Sequence, residues 1–140
     1  VDRSWVDQAD RLLPLVKPLD LVVTSAPPQP GRRSLGEDAS DELVLVGQRL
    51  SPDAATGEFI GLAAFSARGL ALARAAYARA LAAGAAPFHE AESIRQAAFT
   101  DLLQALVVEG HPVTCVSTWK GWLEVDTFED YQRAWAEIRT

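Results

Sequence analysis

Residues 57–66 read Gly-Glu-Phe-Ile-Gly-Leu-Ala-Ala-Phe-Ser, a nearly uncharged run that ends at a serine. Such a run is expected for a β-strand that is covered on both faces in an α/β layer. Serine is a frequent helix N-cap, and after Ser66 apolar residues recur at helical spacing as far as Leu81. The stretch therefore predicts a strand over Glu58–Phe65 that leads directly into a helix.

Strands and helices alternate on both sides of this step. Upstream, Leu19–Thr24 and Leu43–Val46 are predicted strands. The proline-containing stretches Ser25–Ser40 and Gly47–Thr56 are predicted loops, the first of them mobile. Downstream, four more elements are expected: a helix from about Ser93 to Gly110, strands at Val113–Val116 and Trp122–Val125, and a helix from Thr127. This order predicts one α/β domain over residues 1–140, in which helices flank a mixed or parallel sheet.

The last helix carries its own start signal, and a turn is expected shortly before it, near Trp119 to Gly121. Thr127 is expected to cap the helix, with Asp130 three residues on as a variant of the capping box. Four residues at helical spacing are expected to face inward: Tyr131, Ala134, Trp135 and Ile138.

The overall composition argues against several classes of partner. The formal net charge is −6 and the 13 basic residues are scattered, so we expect no nucleic-acid partner. Charged residues interrupt the apolar stretch Phe59–Leu81, and no secretion signal is found, so no membrane span is expected. Cys115 is the single cysteine and cannot close an internal disulfide, which favours a cytoplasmic location.

The first residues read like the middle of a longer protein. The chain begins with valine and contains no methionine. Val1-Asp2 followed by Ser4 and Trp5 is typical of a strand that leads into the start of a helix. We therefore expect the chain to have been cut from a longer polypeptide.

The candidate chemistry lies in Trp122-Leu-Glu-Val-Asp-Thr-Phe-Glu-Asp130. Alternation places Leu123 and Val125 on one face of a strand and brings Asp126 to its carboxyl end, the edge of an α/β sheet where ligands bind. A carboxylate there can hold Mg²⁺, which takes one or two protein carboxylates together with substrate phosphates. The alternative is that Asp126 and Thr127 only end a strand and begin a helix.

Neighbouring residues have two interpretations each. Glu124 is either a group that supports the metal ligand or a solvated strand residue. Trp119, Trp122 and Trp5 can offer a ring face to a quaternary ammonium group, or they belong to the core. Lys120 can contact a phosphate, or it is a solvated turn residue.

The closing stretch resembles the final motif of sugar-phosphate and phosphocholine-type nucleotidyltransferases. That motif reads tryptophan, any residue, Glu-Ile-Asp-Thr, then Glu-Asp and an alanine in the helix. The matching residues are Trp122, Glu124, Asp126, Thr127, Glu129, Asp130 and Ala134.

Two further segments resemble the same group of enzymes. Residues 57–66 are similar to the acceptor-side strand of cytidylyltransferases that act on phosphocholine or aminoethylphosphonate, including those fused to phosphoenolpyruvate phosphomutases. Val1-Asp2-Arg3-Ser4-Trp5 resembles the strand-to-helix step that precedes this strand. The resemblance implies the carboxyl-terminal half of a GT-A-like or Rossmann-like nucleotidyltransferase domain.

The resemblance also implies partners and roles. The partners would be a nucleoside triphosphate and a small phosphorylated acceptor, with CMP transferred and pyrophosphate released. Asp126 matches the second of two aspartates that hold one Mg²⁺, and Glu58, Trp119, Trp122 and Glu124 would lie on the acceptor side. The first aspartate and the Gly-rich phosphate loop would precede Val1, so the chain alone is expected to be inactive.

Two alternatives stay open. The closing motif also permits a sugar-1-phosphate nucleotidyltransferase. The chain could instead be a non-catalytic α/β interaction module in which an exposed sheet edge pairs with another copy, giving a homo-oligomer.

Overall fold

A small antiparallel sheet forms the centre of the computed structural model, which describes residues 1–6, 19–27, 41–125 and 127–138. Its strands are β1 (Leu21–Thr24), β2 (Leu43–Gly47) and β3 (Gly57–Glu58), in the order β2-β1-β3. The register places Val22 opposite Val46 and Gly57, with an irregularity in the β1–β2 pairing after Val23. The α/β class and the positions of β1 and β2 are confirmed, whereas residues 28–40 of the expected loop lie outside the described residues.

The third strand is shorter than predicted. β3 ends at Glu58 instead of continuing to Phe65, because Gly61 has a φ of +78° and interrupts the extended backbone. The residues beyond it are used for packing: the rings of Phe59 and Phe65 lie with their centroids 6.1 and 6.2 Å from that of Phe99. The expected cover on both faces is also wrong, because Leu62 is 78% exposed and Phe59 and Phe65 are only half-buried.

The amino-terminal segment extends the sheet beyond β3. Asp2 N–H donates to Glu58 O over 2.8 Å, and Glu58 N–H donates to Asp2 O over 2.9 Å. On its other side Asp2 forms a parallel bridge with Thr118, in which Thr118 N–H donates to Val1 O and Arg3 N–H donates to Thr118 O. Among the described pairings this bridge alone is parallel. The three named strands are antiparallel, so the mixed or parallel sheet predicted from the sequence is wrong for them, because strands and helices do not alternate through this part of the chain.

Residues 113–118 close the arrangement into a circuit. Leu43 N–H donates to Val113 O and Cys115 N–H donates to Asp41 O, each over 2.8 Å, beside the start of β2. The same segment reaches the amino-terminal residues through Thr118. Backbone hydrogen bonds therefore run from β1 to β2, to residues 113–118, to residues 1–3, to β3 and back to β1, a set of pairings that we call the backbone circuit. The predicted strand Val113–Val116 does not form. Within it only Thr114 is a β-bridge residue, paired with Glu42.

The side chain of Arg3 joins the members of the backbone circuit. Its Nε donates to Ser117 Oγ over 2.9 Å, and Nη1 donates to Thr24 Oγ1 and Thr56 O over 3.0 Å. Nη2 forms an ion pair with Asp41 Oδ2 at 2.9 Å, and the Arg3 side chain is only 1% exposed. A buried guanidinium is tolerated because these partners replace its hydration.

Two helices pack beside the sheet, one against the sheet and the other against the first helix. Helix α1 (Ala67–Ala82) begins as predicted, with Gly69 N–H donating to Ser66 Oγ over 3.0 Å. Helix α2 (Phe99–Val108) starts six residues after the predicted Ser93, because the Asp101 carboxylate accepts hydrogen bonds from the N–H groups of Ala98 and Glu90 and fixes the start there.

The core has two parts. Leu103 of α2 packs with Val22, Leu43, Val46 and Cys115 against the sheet. The other part joins the two helices through small and apolar side chains: Ala73, Ala76, Ala105 and Leu106. Helix α2 therefore lies between the sheet and α1.

Helix α3 (Phe128–Ile138) begins as predicted but presents its aromatic residues outward. Thr127 Oγ1 and Asp130 Oδ2 exchange hydrogen bonds with each other's backbone N–H groups, which confirms the capping box. Ala134 is buried, whereas Tyr131 and Trp135 are 52% and 55% exposed and stack on each other 6.5 Å apart. The inward orientation predicted for those two is wrong, because helical spacing identifies a common face but not what covers it. The side chain of Ile138 lies outside the description.

Within the described residues, none of the helices is both long and apolar enough to cross a membrane.

Replacement of Arg3 by methionine tests the circuit. Arg3→Met keeps an apolar stem but leaves Asp41 without its guanidinium partner. We expect the free energy of unfolding in urea to fall by about 3 kcal/mol, the lower end of the range for a broken buried ion pair, because the Asp41 side chain is 23% exposed. Arg74→Met, at an exposed position of α1, is the control and should change it by less than about 0.5 kcal/mol. Equal losses in both variants would contradict the account.

Candidate functional site

Two of the three segments that carry the sequence motifs meet at Asp2, and the residues just before the third are bonded to the same amino-terminal segment. Asp2 is fully buried and Glu58 is 8% exposed. Because the two residues are partners in an antiparallel bridge, their side chains leave the backbone on the same face. The bridge therefore places two acidic residues opposite each other, and Glu58 is buried.

Gly57 permits this close approach of β3 to the amino-terminal segment. A Cβ atom at Gly57 would lie 2.4 Å from Val1 Cγ1 and 2.9 Å from Asp2 O. The second contact is to backbone and cannot be relieved by a side-chain rotation. A glycine at this point is thus a packing requirement of the Asp2–Glu58 bridge.

Ser4 connects Asp2 to the turn that carries the tryptophans. Its N–H and Oγ–H both donate to Asp2 Oδ1, over 2.8 and 2.7 Å. Its Oγ in turn accepts from Lys120 N–H over 3.0 Å. A buried acid is therefore linked through one hydroxyl group to the backbone of the turn.

The predicted turn near Trp119–Gly121 is confirmed. Lys120 and Gly121 have φ angles of +58° and +81°, two consecutive left-handed residues that reverse the chain. Thr118 Oγ1 donates to Lys120 O over 3.2 Å and supports the non-glycine residue in this conformation. The predicted strand Trp122–Val125 does not form after it, and Leu123 and Val125 are both exposed, at 42% and 52%. The alternation there is wrong as a sign of a strand, since none of the described segments pairs with it.

The remaining predicted residues lie in different environments. Trp119 and Trp122 are half-buried on either side of the turn, and Glu124 is exposed. Trp122 Nε1 is buried and has no hydrogen-bond partner within the described part of the chain. Trp5 is buried, at 5% exposure, in agreement with its interpretation as a core residue. Asp126, the predicted metal ligand, lies outside the described residues.

The arrangement offers groups that suit a small charged molecule. Two adjacent carboxyl groups favour a cation, and half-buried indole rings can add cation–π contacts. Sequence reasoning used Asp2, Arg3 and Ser4 only as a strand-to-helix step and missed their part in the site. Nothing local in that polar run signals burial, because its partners lie far away in the chain.

A metal centre finds limited support in the described residues. They contain no group of three or more histidine, cysteine, aspartate and glutamate side chains that could hold a metal ion. The Mg²⁺ prediction therefore depends on Asp126 and stays a prediction. Comparison of the chain with protein-family models, with curated proteins and with solved structures gave no match.

Alanine substitutions at two glycines test the close approach at Asp2. Gly57→Ala should lower the free energy of unfolding by about 1–3 kcal/mol, because overpacking forces β3 and the amino-terminal segment apart. At Gly69 in α1 the nearest contact of an added Cβ is 3.4 Å, so Gly69→Ala should leave the free energy unchanged or raise it by up to about 1 kcal/mol. Urea unfolding measures both, and a neutral Gly57→Ala would show that the two segments are not in contact.

Proposed function

We propose that the chain is the acceptor- and metal-binding half of a nucleotidyltransferase. The reaction transfers a CMP-like group from a nucleoside triphosphate to a phosphate or phosphonate acceptor of the phosphocholine or aminoethylphosphonate type. The proposal rests on the resemblance of three separate segments to one group of enzymes, with their order along the chain preserved.

One structural observation supports the proposal. Residues 1–5 and 57–66 resemble consecutive motifs of these enzymes, and Asp2 pairs directly with Glu58. The third motif begins at Trp122, immediately after a turn whose Lys120 N–H is bonded to Ser4 Oγ. The first two motifs, more than 50 residues apart in sequence, are thus in direct contact, and the third begins two residues after Lys120. This arrangement supports a common site.

The chemistry that this region would serve is an in-line displacement at phosphorus. An acceptor oxygen forms a bond to the α-phosphorus as the bond to pyrophosphate breaks, and positioning together with charge stabilisation provides most of the rate. A bound Mg²⁺ would neutralise phosphate charge, with Asp126 as its ligand from this half. Glu58 and the rings of Trp119 and Trp122 would hold the cationic end of the acceptor, each ring contributing about 0.5–2 kcal/mol.

The decisive experiment uses a full-length polypeptide that includes this chain. Incubated with CTP, Mg²⁺ and either phosphocholine or 2-aminoethylphosphonate, it should release pyrophosphate. Asp126→Ala should reduce turnover to the background level because the metal loses a ligand, while the circular dichroism spectrum stays unchanged. Asp53→Ala, at an exposed position outside the three motif segments, is the matched control and should keep most of the activity.

Other outcomes assign other functions. Release with glucose 1-phosphate alone would indicate a sugar-1-phosphate nucleotidyltransferase. Undiminished turnover in Asp126→Ala would reassign this residue to a structural role. No release with any acceptor, together with a stable dimer in sedimentation, would favour the interaction module.

A further inference from the structure

An apolar cavity of about 590 Å³ lies beside the core, and its lining includes Val1 and Phe59, the chain neighbours of Asp2 and Glu58. Core residues of the sheet and of α2, such as Val22, Leu43 and Leu103, contribute to its lining, together with residues 62–66 and 111–116. Its volume falls within the range of about 300–1,000 Å³ that is usual for small-molecule pockets. Side chains that line an unfilled cavity lose dispersion contacts, so an apolar occupant would stabilise the fold.

The described side chains that line this cavity include basic groups but no acidic ones. No aspartate or glutamate belongs to the lining within the described residues, although the whole chain has 19 acidic residues. Arg68 does line the cavity, and its guanidinium makes no hydrogen bond or ion pair with any described residue. His111 is the other lining side chain that can carry positive charge, and its Nε2 lies 3.6 Å from Glu109 Oε2. Glu109 is also engaged by Arg79, at 2.5 Å, so its charge is already partly compensated.

We propose that this cavity binds a medium-chain carboxylate, with its hydrocarbon chain among the apolar side chains and its carboxylate at Arg68. The apolar lining supplies affinity in proportion to the area removed from water. Arg68 supplies the preference for an anionic headgroup, because an arginine fork matches a carboxylate in two parallel hydrogen bonds. The inference does not depend on the proposed nucleotidyl transfer, since Glu58, Trp119 and Trp122, to which that proposal gives roles, do not line the cavity.

Cys115 provides a reporter inside the cavity. Its side chain belongs to the lining and the residue is 5% exposed. Burial raises the pKa of the thiol, mainly through loss of hydration, and so suppresses the reactive thiolate. Alkylation of this single cysteine is therefore expected to be slow, and slower still when a ligand fills the cavity.

The test compares two amphiphiles with the same hydrocarbon chain and opposite charge. The 140-residue chain is treated with N-ethylmaleimide in the presence of sodium decanoate or decyltrimethylammonium, each below its micelle-forming concentration. Mass spectrometry measures the rate at which Cys115 is modified. At ten times its dissociation constant, decanoate is expected to slow the reaction about tenfold, whereas the cationic compound should have little effect.

Two substitutions and one control locate the site. Arg68→Gln should weaken decanoate binding roughly 10- to 100-fold, the effect of losing a hydrogen bond to a charged group. Arg74→Gln on the same helix, at an exposed position outside the lining, should leave binding unchanged. Ala64→Trp places an indole at an exposed lining residue and should abolish protection while the melting temperature is maintained.

Several results would overturn the proposal. They are equal protection by the two amphiphiles, protection by neither, and equal effects of Arg68→Gln and Arg74→Gln. Protection of Cys115 that rises with protein concentration in the absence of decanoate would also overturn it, because it would show that a second copy of the chain covers the cavity.

Discussion

The guanidinium group of Arg3 has hydrogen-bond partners on four segments that are distant in sequence, and the rest of the fold is arranged around it. Its partners are Thr24 at the end of β1, Asp41 before β2, the Thr56 carbonyl before β3, and Ser117 beside the amino-terminal segment. A charge at 1% exposure is stable only where each partner is in place. The backbone circuit and this side chain therefore require each other: the circuit brings the partners together, and Arg3 links members that share few backbone hydrogen bonds.

This constraint also positions the candidate site. The backbone pairings on either side of residues 1–3 place Asp2 between Glu58 and Thr118, and Ser4 then reaches the turn at Lys120. Arg3 holds one face of this arrangement, and the carboxyl groups of Asp2 and Glu58 leave on the other. Any displacement of the amino-terminal segment would consequently alter the core and the site together. The apolar cavity borders this region at Val1 and Phe59, but its lining comes largely from α1, α2 and the segments that follow β3 and α2.

Local rules account for what the sequence predicted well. The serine cap of α1, the Thr127–Asp130 capping box and the turn at Gly121 depend on neighbouring residues, so short motifs are sufficient to find them. Non-local pairing accounts for what was missed. Residues 59–65 and 122–125 have the apolar pattern of strands but lack strand partners among the described residues. The burial of Arg3 could not be foreseen either, because Ser117 is 114 residues away. The roles of Glu58, Trp119, Trp122, Glu124 and Asp126 come from motif resemblance, and burial alone does not assign them.

Native-state hydrogen exchange of the backbone amides tests the central claim, closure of the circuit around Arg3. The amides of Arg3, Glu58, Cys115 and Thr118 each donate to another segment of the chain: Glu58 and Thr118 to residues 1–3, Arg3 to residues 113–118, and Cys115 to Asp41 before β2. The account predicts that all four exchange slowly, with opening free energies close to that of global unfolding measured under the same conditions. Rapid exchange at Arg3 and Thr118, with continued protection in β1 and β2, would show that the amino-terminal segment is not part of the cooperative core and would contradict the account.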